Sequence, residues 1–298
     1  MLHDEFRRAN PTDMGAHQVG GHMAKEGKAG MLQLPPRYLL KPMQADMRGS
    51  REVDFYETIA QHPYDPRLFG MERFLCGYHG VLDAGSFQGQ DQDFRKAWAA
   101  RRSSLDDSQA LILSTNYIVL DDVTAEYNCP CIMDLKMGRE TFEPDASPEK
   151  KAKELHKYPY QVDLGFRIVG MRTYHKPSRT FATKDKKWGR TLTPDTVMED
   201  GFGDFFNDGT TRRVDVIRQF YRQLMEVIAC FEKQTEYQFY ASSLLFVYDG
   251  DDTSGELPAL RLIDFAHVRR DQRTDDGYLL GLRTAAEMFH SLGTESSL

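Results

Sequence analysis

The segment 212–232 has the strongest helical pattern in this chain of 298 residues. Its apolar side chains recur at intervals of three and four, which places them on one face of a helix. They are Val216, Phe220, Leu224, Val227 and Phe231. Apolar segments typical of strands lie on both sides of it, at 166–174 and 239–248. The chain therefore has to combine a long amphipathic helix with strands.

The remaining elements divide the chain into two parts. Further strands are predicted at 37–41, 111–113, 117–120, 131–136 and 260–265, and helices at 51–61 and 274–292. The turn residues 114–116 join two of these strands as a hairpin. Ser147 as N-cap and Pro148 at the first helical position open one more helix. We predict two lobes hinged near residues 121–124, with room for a nucleotide between them.

The composition is that of an ordinary globular protein, with 40% hydrophobic and 28% charged residues. It excludes collagen, a disordered chain and a disulfide scaffold. No apolar run approaches the length of a membrane span, about 18 residues, and the first residues lack an apolar signal core. The net charge of −7 argues against coating nucleic acid. The cysteines, including the pair Cys129 and Cys131, are expected to be reduced thiols without a metal.

Three short segments carry residues suited to chemistry. In the strand 131–136, Asp134 and Lys136 are two positions apart and face the same side. Phosphoryl transfer uses such a pair, but the spacing alone leaves a surface ion pair equally open. Asp264, taken alone, is more often the cap of a turn. The segment 241–246, taken alone, is a core strand with two small polar residues.

Pro130, Asp134, Lys136 and Gly138 match the signature PxxxDxKxG, and the chain thereby resembles the inositol polyphosphate kinase family. Ile263-Asp264-Phe265 resembles the IDF motif of that family, and 242–245 its SSLL motif. The motifs follow the family order over roughly residues 17–290. The resemblance implies an α+β, two-lobed, protein-kinase-like fold, with an antiparallel sheet in the N-lobe and a mixed α/β C-lobe.

The resemblance also implies domain boundaries. Residues 1–16 are expected to form a flexible N-terminus and 17–122 the ATP-binding N-lobe. Residues 123–298 are expected to form the C-lobe, which includes an inositol-phosphate-binding segment at about 139–165. A glycine turn at 17–22 resembles the one that covers the nucleotide phosphates.

The resemblance further implies a site for ATP and Mg²⁺. Lys41 is expected to contact the phosphates, and Glu52 to pair with that lysine and keep it charged. Asp264 is expected to hold the magnesium ion that bridges the phosphates.

The nucleoside and the catalytic lysine have their own expected positions. The resemblance implies that Asp134 binds the ribose, while the backbone carbonyl of Asp121 and the N–H of Val123 pair with adenine. Lys136 is expected to lie between the phosphoryl donor and its acceptor. No residue is assigned as a general base, because a loose transition state needs little help from one.

The acceptor is expected to bind along a basic helix face. Lys150, Lys153 and Lys157 are spaced to lie along one face. A solvated helix face is the alternative reading, and the family context favours substrate binding. The resemblance adds Ser243 as a residue beside the site, and His267 either as a substrate contact or as a structural histidine.

Within the family, the chain most resembles the multikinase branch. This implies ATP-dependent phosphorylation of inositol 1,4,5-trisphosphate and tetrakisphosphate at the 6- and 3-hydroxyls to give the pentakisphosphate. Phosphoinositide head groups at a membrane surface are a further expected acceptor. An inositol hexakisphosphate kinase and a non-catalytic signalling scaffold remain alternatives. We predict a monomer in the nucleus and cytoplasm, with no nucleic-acid partner and no stable protein partner.

Overall fold

Two antiparallel sheets organise the residues that this computed structural model describes, which are 30–62, 64–105 and 110–294. The first sheet has the order β1-β2-β5-β3-β4. Its strands are β1 (Leu32–Leu34), β2 (Tyr38–Pro42), β3 (Tyr78–Asp83), β4 (Ser86–Phe87) and β5 (Tyr117–Asp121). Three helices accompany it: α1 (Met47–Gln61), α2 (Gln92–Ser103) and α3 (Ala110–Ser114).

The second sheet has the order β11-β10-β6-β7-β8, and a two-stranded ribbon pairs β12 with β9. The strands are β6 (Pro130–Met137), β7 (Phe166–His175), β8 (Thr180–Lys184), β9 (Tyr237–Phe239), β10 (Ser243–Asp249), β11 (Ala259–Ile263) and β12 (Val268–Arg270). The helices are α4 (Pro148–Lys157), α5 (Gln161–Leu164), α6 (Lys186–Gly189), α7 (Val214–Phe231) and α8 (Asp276–Thr294), with a π-helix at Val197–Gly203. The two sheets and their helices confirm the α+β, kinase-like fold.

The larger core lies beneath the second sheet. Phe220 of α7 packs edge-on against Phe246 of β10, with ring centroids 5.1 Å apart, and Phe289 of α8 lies 5.5 Å from Phe246. Helix α1 joins the same core, because Phe55 contacts Phe265 at 4.4 Å between ring centroids. Helix α1 therefore bridges the two sheets, and this packing fixes the position of the buried face of the helix.

Several predicted elements are confirmed with small shifts in their ends. Helix α7 and the strands β2, β6 and β7 lie where they were expected. The Ser147 hydroxyl accepts a hydrogen bond from the N–H of Lys150 and caps α4 as predicted. Helix α1 begins at Met47, four residues before the predicted start at residue 51. None of the helices in the described part of the chain is long and apolar enough to cross a membrane.

The predicted hairpin at 111–120 is wrong in its first half. Residues 110–114 form the helix α3, and β5 pairs instead with the distant strands β2 and β3. The hydroxyls of Ser114 and Thr115 donate hydrogen bonds back to the Leu111 carbonyl, at 3.2 and 2.7 Å. A short apolar run does not distinguish strand from helix, and these local hydrogen bonds favour the helix.

The predicted strand at 239–248 is also wrong, because it is two strands. Ala241 has a φ of 53°, in the left-handed region, and interrupts the extended backbone between β9 and β10. Strand β9 pairs with β12, whereas β10 pairs with β6 and β11. The strand predicted at 260–265 likewise ends at Ile263, because Asp264 has a φ of 68°.

The domain boundaries stay a prediction. The described chain passes from the first sheet to the second between Asp121 and Pro130, which is where the hinge was placed. The N-terminal segment 1–16 and the glycine turn at 17–22 lie outside the described residues.

Candidate active site

A lysine and two carboxylates from three different elements meet between the two sheets. Nζ of Lys41, on β2, lies 2.6 Å from Oε1 of Glu52, on α1, and 2.6 Å from Oδ1 of Asp264. Oε1 of Glu52 also accepts the backbone N–H of Phe265 at 3.1 Å. The predicted pairing of Lys41 with Glu52 is present, and the fold adds Asp264 to it.

Burial and the neighbouring charges shift the pKa of Lys41 in opposite directions. Burial lowers the pKa of Lys41, but the nearby charges of Asp264 and Glu52 outweigh it and raise the pKa overall. Glu52 is 1% exposed, whereas the side chain of Asp264 is 26% exposed. The network therefore holds a permanently charged ammonium whose partner Asp264 still reaches the cleft.

Asp134 and Lys136 of β6 lie beside this network. Burial raises the pKa of Asp134 to about 6, although the charge of Lys136 opposes the shift. Burial lowers the pKa of Lys136, against the charges of Asp264 and Asp134. The ammonium of Lys136 donates to the carbonyl of Ala241 at 2.7 Å. The left-handed backbone at Ala241 thus positions the catalytic lysine proposed from the sequence.

The carboxylates at this site suit a divalent cation. Oδ1 of Asp134 is buried and has no hydrogen-bond partner among the described residues. The described residues contain no group of three or more metal-binding side chains. Mg²⁺ is usually bound through one or two carboxylates together with substrate phosphates and water. Asp264, with Asp134 close to it, therefore fits a metal that arrives with a nucleotide.

The segment predicted to bind adenine follows β5. The backbone N–H of Asp121 donates to the Gly77 carbonyl at 2.9 Å, and its carboxylate lies 2.7 Å from Nε2 of His79. Within the described chain, the backbone N–H of Val123 donates to no protein acceptor. It is thus available to a ligand, as adenine pairing requires. His79 and Gly77, which fix Asp121, carried no signal in the sequence.

The three lysines predicted to form the basic face of α4 lie on this helix, but they differ in exposure and in ion pairing. Lys150 and Lys153 are exposed, and Lys157 forms an ion pair with Glu154 one turn earlier in the same helix. None of the residues of α4 is buried. Two of the three predicted cations therefore face solvent, and the third is neutralised within the helix.

His267 and Ser243 lie at the edges of the site. Burial lowers the pKa of His267, whose Nδ1 is 3.7 Å from Oε1 of Glu143. Ser243 is fully buried and lies opposite Lys136 in the sheet. Its hydroxyl has no hydrogen-bond partner among the described residues.

The sequence analysis missed two residues beside the site, Arg51 and Glu143. Glu143 contacts the guanidinium of Arg51, on α1, and accepts from Nε of Arg269 at 3.2 Å. Arg51 immediately precedes Glu52, so the same helix supplies both the buried acid and this arginine. No sequence pattern marked Glu143.

A buried lysine–glutamate pair, next to an aspartate that follows a strand, is the arrangement through which protein kinases hold ATP phosphates. The fold and the site thus define a kinase-like class. The chain belongs to the inositol polyphosphate kinase family, because the sequence model described as "Inositol polyphosphate kinase" matches residues 117–290.

Individual relatives agree with this assignment. The chain is 36% identical to inositol polyphosphate multikinase of Homo sapiens over 236 residues, which are 79% of this chain and 50% of the relative. It is 31% identical to inositol polyphosphate multikinase alpha of Arabidopsis thaliana over 285 residues, covering 89% of this chain and 90% of the relative. The chain thus spans about half the length of the human relative and most of the plant one.

Solved structures support the fold. An inositol phosphate multikinase from S. cerevisiae, in complex with ADP and Mn²⁺, superposes with a TM-score of 0.63 at 22% identity, covering 86% of this chain and 98% of that one. A second inositol phosphate multikinase structure gives a TM-score of 0.62 at 27% identity, covering 81% of this chain and 99% of that one.

Proposed function

We propose that this chain transfers the γ-phosphoryl group of ATP to hydroxyl groups of inositol polyphosphates. The observation that carries the proposal is the Lys41–Glu52–Asp264 network beside Asp134 and Lys136. Phosphoryl transfer depends on positioning and on neutralising charge, and this cluster offers two cations, the partly exposed carboxylate of Asp264 and the buried carboxylate of Asp134 for that purpose.

Each residue has a role consistent with its surroundings. Lys41 holds the nucleotide phosphates, and Glu52 fixes its ammonium in place. Asp134 is assigned to the ribose hydroxyls, and its buried Oδ1 has no hydrogen-bond partner among the described residues. Lys136 neutralises charge on the phosphoryl group as it moves. Asp264 holds Mg²⁺, which when bound would supply electrostatic stabilisation of the phosphates.

We propose inositol 1,4,5-trisphosphate and tetrakisphosphate as acceptors, phosphorylated at the 6- and 3-hydroxyls to give the pentakisphosphate. The names of the relatives favour a multikinase, and Lys150 and Lys153 of α4 are open to solvent. A phosphoinositide head group is a further proposed acceptor, since Leu155 and Tyr160, on and just after α4, are each 39% exposed. A nuclear and cytoplasmic distribution remains a proposal from the family resemblance.

Product analysis tests the proposal directly. The protein is incubated with Mg²⁺ and ATP and, in separate reactions, with inositol 1,4,5-trisphosphate or inositol hexakisphosphate, and the products are separated by anion-exchange chromatography. Stepwise conversion of the trisphosphate to tetrakis- and pentakisphosphate is expected. Conversion to a single tetrakisphosphate would indicate a dedicated kinase, and turnover of the hexakisphosphate alone a pyrophosphate-forming one. No turnover, with ATP still bound, would point to a scaffold.

A further inference from the structure

Arg167, at the start of β7, lies directly opposite the catalytic lysine in the second sheet. The strand register pairs Arg167 with Lys136, and Lys136 in turn with Ser243 of β10. Residues directly opposite in antiparallel strands project from the same face, with Cβ atoms about 4.5–5.5 Å apart. Phe166 and Ile168, which flank Arg167, are buried in the core on the other face. The guanidinium of Arg167 therefore lies on the same side of the sheet as Lys136.

This arginine is buried without a carboxylate partner. Arg167 is 9% exposed, and its one hydrogen bond to the described protein runs from Nη1 to Oε1 of Gln161 at 3.3 Å. Gln161 is neutral, and Arg167 forms no ion pair with any described residue. Its remaining N–H groups have no hydrogen-bond partner among the described residues and are not fully enclosed, so they keep some exposure to solvent.

Burial makes the position of Arg167 costly in the absence of an anion at hydrogen-bond distance. Burial lowers the pKa of Arg167 and outweighs the charge of Glu154, which acts from beyond ion-pair distance, while Arg190 and Lys136 add like charge nearby. Like charges directly opposite in a sheet are destabilising, and a buried cation without a close partner costs more still. The hydrogen bond to Gln161 needs only a neutral donor, so it does not explain an arginine here.

We propose that Arg167 binds a phosphate group of the inositol polyphosphate acceptor, together with Lys136, and thereby selects acceptors that carry a phosphate beside the reacting hydroxyl. A guanidinium offers parallel N–H donors that match a phosphate, whereas a lysine offers a point charge. The inference rests on the proposed function, because it assigns Arg167 to the acceptor of that reaction.

Binding measurements separate this inference from the proposed function. Titration calorimetry without nucleotide measures the affinity for inositol 1,4,5-trisphosphate and, separately, for ADP with Mg²⁺. Arg167→Leu should weaken trisphosphate binding about tenfold or more, since a charged hydrogen bond is lost, and should leave ADP binding within about twofold. Arg167→Lys should give an intermediate loss. Arg222→Leu, at an exposed arginine of α7, removes the same charge far from the cleft and should change neither affinity.

Each outcome has a distinct meaning. Unchanged trisphosphate affinity in Arg167→Leu would overturn the inference, even if the wild-type protein turns the trisphosphate over. An equal loss for ADP and trisphosphate with a lower melting temperature would indicate a structural role and would also overturn it. A loss of ADP affinity with unchanged trisphosphate affinity would place Arg167 on the nucleotide and reject the acceptor assignment. Selective loss of trisphosphate binding, in a protein without turnover, would support the inference while rejecting the kinase proposal.

If Arg167→Leu does not fold, the trisphosphate affinity of Arg167→Lys tests the inference. Circular dichroism establishes whether each variant is folded. A folded Arg167→Lys protein with wild-type trisphosphate affinity would overturn the inference, because a point charge cannot reproduce two parallel hydrogen bonds. A loss confined to the trisphosphate would support it.

Discussion

The two sides of the cleft differ in how their charges are balanced. On the nucleotide side, the ammonium of Lys41 lies 2.6 Å from each of two carboxylates, and Glu52 is almost completely buried. On the acceptor side, Lys150 and Lys153 face solvent, and Arg167 is buried beside a neutral glutamine. On one side the cation is paired with two carboxylates of the protein, and the other side has cations without a close carboxylate partner in the described chain.

The difference indicates what each side is built to do. A network that is already paired holds its geometry before any ligand arrives, which suits a nucleotide that must be positioned accurately. Unbalanced cations instead gain most of their stabilisation from the ligand, which suits an acceptor carrying several phosphates. Substitutions on the first side should therefore affect turnover and stability, and those on the second side acceptor affinity.

The largest expected effect comes from the residues between the two sides. Lys136→Ala and Asp264→Asn should each lower kcat by about 10²–10³-fold or more, because each removes a charge that stabilises the moving phosphoryl group or its metal. The measurement is initial rate with saturating ATP and inositol trisphosphate, with circular dichroism as the control for folding. Wild-type rates in either folded variant would remove that residue from the mechanism.

Glu52→Gln should produce the largest loss of stability. The substitution leaves Lys41 with Asp264 alone and removes the acceptor charge beside the N–H of Phe265. Breaking a buried ion pair by removing one partner typically costs about 3–5 kcal/mol, and the remaining partner should keep the loss near the lower value. Urea unfolding measures the free energy, with Glu57→Gln on the exposed side of α1 as the matched control. Equal unfolding free energies for the two variants would contradict the prediction.

The lysines of α4 should have unequal effects on acceptor affinity. Lys150→Ala and Lys153→Ala should each raise KM for inositol trisphosphate several-fold, with KM for ATP unchanged, because both cations are free to contact phosphate. Lys157→Ala should raise it less, because Glu154 already neutralises that ammonium. Steady-state kinetics at two ionic strengths tests this, since free cations give the steeper salt dependence. Equal effects for all three would show that Glu154 releases Lys157 on binding.

The smallest expected effect is a pH dependence of nucleoside binding. Burial raises the pKa of Asp134 to about 6, so lowering the pH through this value protonates the carboxylate and removes an acceptor for the ribose hydroxyls. Adenosine, which needs no metal, should therefore bind more weakly below pH 6 than at pH 7.5. Asp134→Asn should bind adenosine with little change over this range. Identical pH profiles for both proteins would remove Asp134 from the ribose site.

Much of the site could be predicted from local sequence. The spacing of Asp134 and Lys136 on a strand, the cap at Ser147 and the apolar face of α7 all depend on residues within a few positions of one another. The predictions of a strand at 111–113 and of an unbroken strand at 239–248 were wrong, because local patterns alone do not decide these two segments. The break at Ala241 depends on the distant strands with which β9 and β10 pair, and β5 likewise pairs with β2 and β3 rather than with residues 111–113.

The sequence by itself determined the family, several of the helices and strands, and the residue types available for chemistry, because short motifs and periodicity record local geometry; it did not predict β3, β4 or α2. The tertiary structure alone decided which charges are neutralised. It brings Lys41 to Asp264 across 223 positions and sets Arg167 opposite Lys136. Burial and the distance to the next charge fix the behaviour of an ionisable group, and both depend on contacts between segments far apart in the chain.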